Sequence, residues 1–309
     1  MRKLILFLIA ALLGAQTDRS RIAEGFDSIN AARLKADLTF LSSDALEGRR
    51  SLERGDEVAV QWIASEFAKA GLKPLVGDSY LQPVPLIEYQ VDRQETTLNV
   101  SRGSGSIGYR APDVTCNFPN EGGFGGEVVF AGYGISAPEL GYDDYAGIDA
   151  KGKVVLIFNH EPQENDAQSI FNGTGNTRYT NNYSKTLNAQ RHGAVAVLTM
   201  VEPSHAADGG RGGRGPQQTA ASARIPPQAL AEGGTAIPLV TISAAIGNHF
   251  FNMAGKKADD VQKAIEAKLS PMSFAVPNTR VFLNEVVAER KRANSYNVVG
   301  LLPGSDPTL

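Results

Sequence analysis

Apolar positions along this chain fall into two regimes. From about residue 18 to 74 they recur at helical spacing, and from about residue 80 they gather into short extended runs. Ile22, Phe26 and Ile29 share one helical stripe, and Leu34, Leu38 and Leu41 another. The phase slips near Asn30, which predicts a break there. A second helix opens at Asp56-Glu57, where negative charge suits the helix dipole. Val58, Trp62, Ile63, Phe67 and Ala70 make its expected apolar face. Gly71 can take the left-handed stop conformation, Leu72 can fold back, and Pro74 bars resumption.

Beyond residue 80 the pattern changes. Thr96 to Val100 alternates as a strand does, and Gly103-Ser104-Gly105-Ser106 is a tight polar turn. NEGGFGGE, residues 120–127, reads as a flexible junction, with a domain boundary near residue 120. Val128–Phe130, Val154–Phe158, Ala194–Leu198 and Ile237–Ile242 are apolar strand runs. Helices are expected over Thr186–His192, closed by Gly193, after Ser243, and over Lys257–Leu269. Strand and helix in alternation predict an α/β layer arrangement. Thr279–Leu283 and Asn297–Leu302 return to strand, separated by the charged piece AERKRANS. The organisation this predicts is residues 1–15 as a leader, 16–119 as a helical segment with first scaffold strands, 120–268 as an α/β insertion, and 269–309 as resumed scaffold.

Charge and composition then narrow the function. Arg2-Lys3, the apolar run Leu4–Leu13 and Gly14-Ala15 make a secretory signal, so a secreted or periplasmic location is expected. The run is short for a bilayer span, so no integral span is expected after cleavage. Cleavage takes the formal net charge from −3 to −5. No basic stripe appears, which argues against nucleic acid. Cys116 is the one cysteine, which excludes an internal disulfide and Cys-based zinc sites. GGRGGRGPQQ, residues 209–218, is a glycine-arginine loop with nothing to bury.

Several motifs come close to known chemistry. GYGISA, residues 132–137, follows a strand as a dinucleotide fingerprint would, but Pro138 and Gly141 deny it the helix that meets a pyrophosphate. GIDAKGKV has Val154 where a phosphate-binding loop needs Ser or Thr. Asp143-Asp144 sits in an extended segment whose neighbours point apart, which suits a turn or cap better than a shared metal. The histidines are His160, His192, His205 and His249; none forms H-E-x-x-H, and as a set they show no ligand spacing. There is no G-x-S-x-G elbow.

LSSDALEGRRSLERGDEVAVQWIASEFAKAGLKP, residues 41–74, resembles the amino-terminal segment of the co-catalytic di-zinc aminopeptidases, secreted relatives of glutamate carboxypeptidase and the transferrin receptor. VVFAGYGISAPELGYDDYAGIDAKGKVVLIFNHEP, residues 128–162, with Lys185–Leu198 and IPLVTIS, resembles the protease-associated domain inserted in such enzymes. NVVGLLPGSDP resembles the strand and turn that open their peptidase sheet.

The resemblance implies an exported zinc aminopeptidase that removes amino-terminal residues from peptide or protein substrates. Two zinc ions would activate a bridging water, and the inserted domain would act as a lid. In that family the first zinc ligands come from a His-x-Asp motif at the end of the next strand. Leu309 precedes any such motif. The expectation is therefore an amino-terminal fragment of the enzyme, its two zinc ions belonging to the intact protein and none bound here. No catalytic, cofactor-binding or metal residue is assigned. The alternative is a non-catalytic secreted module that binds protein or peptide.

Overall fold

The computed structural model describes residues 23–207 and 226–304. The apolar run 4–13, the glycine-arginine loop and Ser305–Pro307 lie outside the described residues. The helices are α1 (Ala31–Leu41), α2 (Arg54–Lys69), α3 (Asn182–Arg191), α4 (Pro203–Ala207), α5 (Ala244–Met253) and α6 (Ala258–Lys268). The strands are β1 (Lys73–Pro74), β2 (Leu81–Val91), β3 (Thr97–Arg102), β4 (Gly105–Tyr109), β5 (Val114–Cys116), β6 (Gly122–Phe130), β7 (Ser136–Ala137), β8 (Tyr142–Asp143), β9 (Val154–Phe158), β10 (Ala196–Met200), β11 (Gln228–Leu230), β12 (Leu239–Ile242), β13 (Phe274–Glu285), β14 (Val287–Val298) and β15 (Gly300–Leu301). They form two compact units, one of residues up to Val84 with those from Asn294 onward, the other Pro85–Ala293.

In the first unit the chain breaks at Asn30, whose side chain caps α1 by accepting from the Ala32 and Arg33 amides at 2.8 and 3.1 Å. The helix buries none of its residues. α2 presents a different face from the one its apolar spacing predicts. Gly55, Ala59 and Val60 are buried, while Val58 is 41% exposed and Trp62, Ile63 and Phe67 are half-buried. The helix meets the Asp44–Leu46 turn backbone to backbone: a Cβ on Gly55 would lie 1.8 Å from the Leu46 carbonyl oxygen. Small residues therefore occupy the contact. The helix ends as its sequence predicts. Gly71 has φ 75°, its amide donates to Ala68, and the Leu72 amide folds back to Phe67. β1 then pairs antiparallel with β15.

The second unit is mixed α/β, as the alternating pattern predicts. Its main sheet has eight strands in the order β4-β3-β13-β6-β9-β10-β12-β5. β6, β9, β10 and β12 run parallel, which is why β9 and β10 are buried along their whole length. Side chains alternate between the faces. Phe130, Leu156, Phe158, Leu198 and Met200 pack with Phe250 and Phe251 of α5 and Ile265 of α6. Val129, Val155, Ile157 and Val197 pack with Ala189 of α3.

Two expectations are corrected here. From Gly122 onward the junction NEGGFGGE is part of strand β6, and its glycines admit a ring from the neighbouring strand. A Cβ on Gly123 would come within 2.4 Å of the Phe282 ring, and one on Gly125 within 2.8 Å of the Val281 carbonyl. AERKRANS does not separate two strands but lies within β14, where its charged side chains are largely exposed.

A buried polar knot joins the strand ends. After β6 the chain turns at Gly132 (φ 46°), where a Cβ would lie 2.0 Å from Asp144 Oδ1. Asp144 Oδ2 accepts from the Tyr133 and Ile135 amides, and Oδ1 accepts from the Tyr142 hydroxyl. Lys185 of α3, equally buried, donates through Nζ to the carbonyls of Tyr133 (2.8 Å), Phe158 (3.2 Å) and His160. Burial pushes Asp144 up to about 7, against those hydrogen bonds and the Lys185 charge. Burial also pushes Lys185 down to about 8, against the Asp144 charge and three nearby glutamates. GYGISA is thus a turn around a carboxylate rather than a nucleotide loop.

Two outcomes follow. Lys185→Met leaves three carbonyls without their donor and the buried Asp144 carboxyl without its nearby positive charge, and should lower the unfolding free energy by about 3–5 kcal/mol. Denaturant titration at neutral pH measures it, and a loss under about 1 kcal/mol contradicts the assignment. Between its ordinary value and about 7, the Asp144 carboxyl holds its proton in the folded chain and loses it in the unfolded one. Its contribution is therefore full below about pH 4 and lost as pH rises to about 7. The stability difference between the native chain and Asp144→Asn should decline over that window; a flat difference contradicts it.

Candidate functional site

Parallel neighbours leave a sheet side by side. β9 and β10 pair in register from Val154↔Ala196 to Phe158↔Met200, and the Asn159 amide donates to the Met200 carbonyl. The segments that follow them start together at the carboxyl edge of the sheet, the usual place for ligands in α/β folds. His160 follows β9 in the left-handed region (φ 42°), with its carbonyl held by Lys185. Glu202 follows β10, and His205 stands three residues on in α4. Glu164 comes from the loop after His160.

These four side chains converge. His160 Nδ1 and His205 Nδ1 each lie 2.5 Å from Glu202 Oε1, and His205 Nε2 lies 2.8 Å from Glu164 Oε1. The two imidazoles are 4.5 Å apart between centroids. Taking one donor atom from each residue, all four atoms fall within 4.8 Å of one another. Glu202 is 2% exposed and His205 7%. His205 Nδ1 is close to Glu202 but off the line a hydrogen bond needs, and neither it nor Glu202 Oε2 has a hydrogen-bond partner. The hydrogen bond to Glu202, with its charge, holds the His160 imidazole above its usual pKa against desolvation. Burial raises Glu202, but the His160 hydrogen bond and charge outweigh it and leave its carboxyl below the usual value.

Glu164, Glu202 and His205 of the cluster line a cavity of about 540 Å³. Across it, the Tyr133 hydroxyl donates to Glu266 Oε1 at 2.9 Å, and Gln262 Nε2 donates to the same oxygen and to Ser204 Oγ. Glu161 takes no part, since it accepts from the Thr177 amide and hydroxyl.

This corrects the reading that the histidines form no ligand group. Two of the four meet here with two glutamates. The residue pairs His160-x-x-x-Glu164 and Glu202-x-x-His205 carry the signal in the sequence, but such spacings are common, and only strand adjacency joins them. The other histidines, the cysteine and the aspartate pair lie elsewhere. His192 ends α3 with its ring stacked on Tyr145 at 4.1 Å. His249 is on α5, and Cys116 is buried on β5. Asp143 accepts from Ser136 Oγ and the Tyr145 amide, so both aspartates of the pair serve turns.

No protein-family model matches the chain, and no curated protein does. Solved structures do. An aminopeptidase from Aneurinibacillus sp. strain AM-1 is similar at 16% identity and TM-score 0.33, covering 90% of this chain and 49% of its own. The zinc aminopeptidase BSAP from Bacillus subtilis is similar at 16% identity and TM-scores of 0.28 and 0.29 in two structures, covering 83% of this chain and 44% of its own. The chain thus spans about half the length of the structures it matches. At these values the likeness assigns no activity to it.

Tyr133→Phe removes a buried hydroxyl that donates to Glu266. It should cost about 1 kcal/mol in unfolding free energy, read from denaturant midpoints; a neutral result would mean the hydroxyl does not brace the cavity wall.

Proposed function

We propose that this chain carries the amino-terminal scaffold of an exported zinc aminopeptidase, and that the α/β insertion within its Pro85–Ala293 unit shapes the access of peptide substrates. The observation that carries the reading is the union of two distant stretches. Residues 41–74 and NVVGLL each resemble the peptidase scaffold, and they fold into one compact unit in which Lys73 pairs with Leu301 and Pro74 with Gly300. The join is tight: a Cβ on Gly300 would come within 2.8 Å of the Phe67 ring and 3.2 Å of Leu72. The α/β stretch between them forms a unit of its own, as an insertion does. The residues present supply no His-x-Asp ligands, so no zinc-water step is assigned to them.

Two measurements on the full chain test this. Fluorescence anisotropy with a labelled random tetrapeptide should show weak saturable binding. Leucine-4-nitroanilide hydrolysis should stay at the rate of the buffer. Peptide binding absent up to about 1 mM, the affinity of a bare encounter, would remove the access role. Hydrolysis lost to a chelator and restored by zinc would overturn the non-catalytic assignment.

A further inference from the structure

His160, Glu164, Glu202 and His205 take no part in the reading above, and they are costly to bury as they stand. Glu202 holds a carboxylate at 2% exposure with one oxygen unpartnered, and His205 holds an unpartnered ring nitrogen beside it. Orphaned polar atoms at such depth are destabilising unless something satisfies them. A proton shared between His160 and Glu202 serves one pair and leaves those two atoms unserved.

We propose that these four side chains bind one divalent transition-metal ion of the zinc class, on the α/β unit itself. The donor set selects the class. Two imidazole nitrogens with carboxylate oxygens suit zinc and its neighbours, whereas calcium and magnesium favour all-oxygen sites. Two carboxylates with two neutral imidazoles also balance a doubly charged cation. Tetrahedral donors about 2.0–2.2 Å from zinc lie about 3.3–3.6 Å apart. The four donor atoms lie within 4.8 Å of one another, so loading the ion draws the partly exposed Glu164 and His160 side chains, 21% and 19% exposed, in by about an ångström toward the buried Glu202 and His205.

The ion would clamp the loop after β9 to the start of α4, segments already linked by the His160–Glu202 contact and bridged through Gln262 and Glu266 of α6. Its rim faces the cavity beside Tyr133 and Gln262, so a water or a ligand oxygen can reach it from there. This site stands on geometry alone. It shares neither residues nor ligand spacing with the His-x-Asp pattern that the aminopeptidase resemblance implies, and so it survives or fails independently of that reading.

The experiment uses the full chain, stripped with a chelator, desalted and titrated with zinc alone. One equivalent per chain is expected by calorimetry and by metal analysis after gel filtration. Zinc should raise the unfolding temperature, and cobalt in its place should show the visible bands of a four-coordinate nitrogen and oxygen site. His205→Ala and Glu202→Gln should each weaken zinc binding by roughly 100-fold or more, exceeding what outer-shell changes do. His249→Ala should leave it unchanged. Should either buried variant fail to fold by circular dichroism, His160→Asn decides, because asparagine tolerates the left-handed backbone at that position. Loss of the zinc-dependent temperature shift in that variant supports the site. The proposal is overturned if the native chain retains no stoichiometric zinc, or if folded variants bind it as the native chain does.

Discussion

Everything at the carboxyl edge of the main sheet depends on one buried ammonium group. Lys185 reaches from α3 through the protein interior and donates to three carbonyls: one in the turn after β6, one at the last residue of β9 and one on His160. A lysine so deep is expensive, and its carbonyl partners, the Asp144 charge and the surrounding glutamates make it tolerable. The same charge adds to the backbone bonds that already join the turn to the strand end, such as the Phe158 amide on the Gly132 carbonyl, and extends the tie to the loop at His160. Asp144 does the matching work from the other side by accepting two amides of the turn. Turn, strand and helix are thereby fixed before any ligand-bearing side chain is placed.

Much of this was readable from residue order, and the failures have physical causes. The stop at Gly71-Leu72 follows from local backbone chemistry, and so does the cap at Asn30. Val154–Phe158 and Ala194–Leu198 announced strands by unbroken apolar content, the second of them two residues short of where it lies, at Ala196–Met200. The apolar stripe of α2 misled because the helix packs through Gly55 and Ala59, where backbone approach rather than apolar bulk decides the face. GGFGG looked like a hinge because glycine is read as freedom, yet here it makes room for Phe282. The charged stretch 288–295 looked like a loop, but an exposed strand face tolerates charge as well as a loop does.

The histidine–glutamate cluster was hidden for a different reason. Each half is a pair at unremarkable spacing, and the pairs lie some forty positions apart. What unites them is the register of β9 on β10, a tertiary fact that no local pattern encodes. Once that register is set, the residues just past the two strand ends must meet. The four donors are thus a product of sheet topology more than of any motif.

The backbone at His160 adds one consequence. A φ of 42° suits glycine better than histidine, by about 1 kcal/mol. Variants selected only for resistance to unfolding should therefore drift away from an imidazole at this position, whereas selection for whatever the cluster holds should keep it. Thermal robustness and ligand chemistry pull on this residue in opposite directions, and the identity that wins reports which of the two the protein has been shaped to serve.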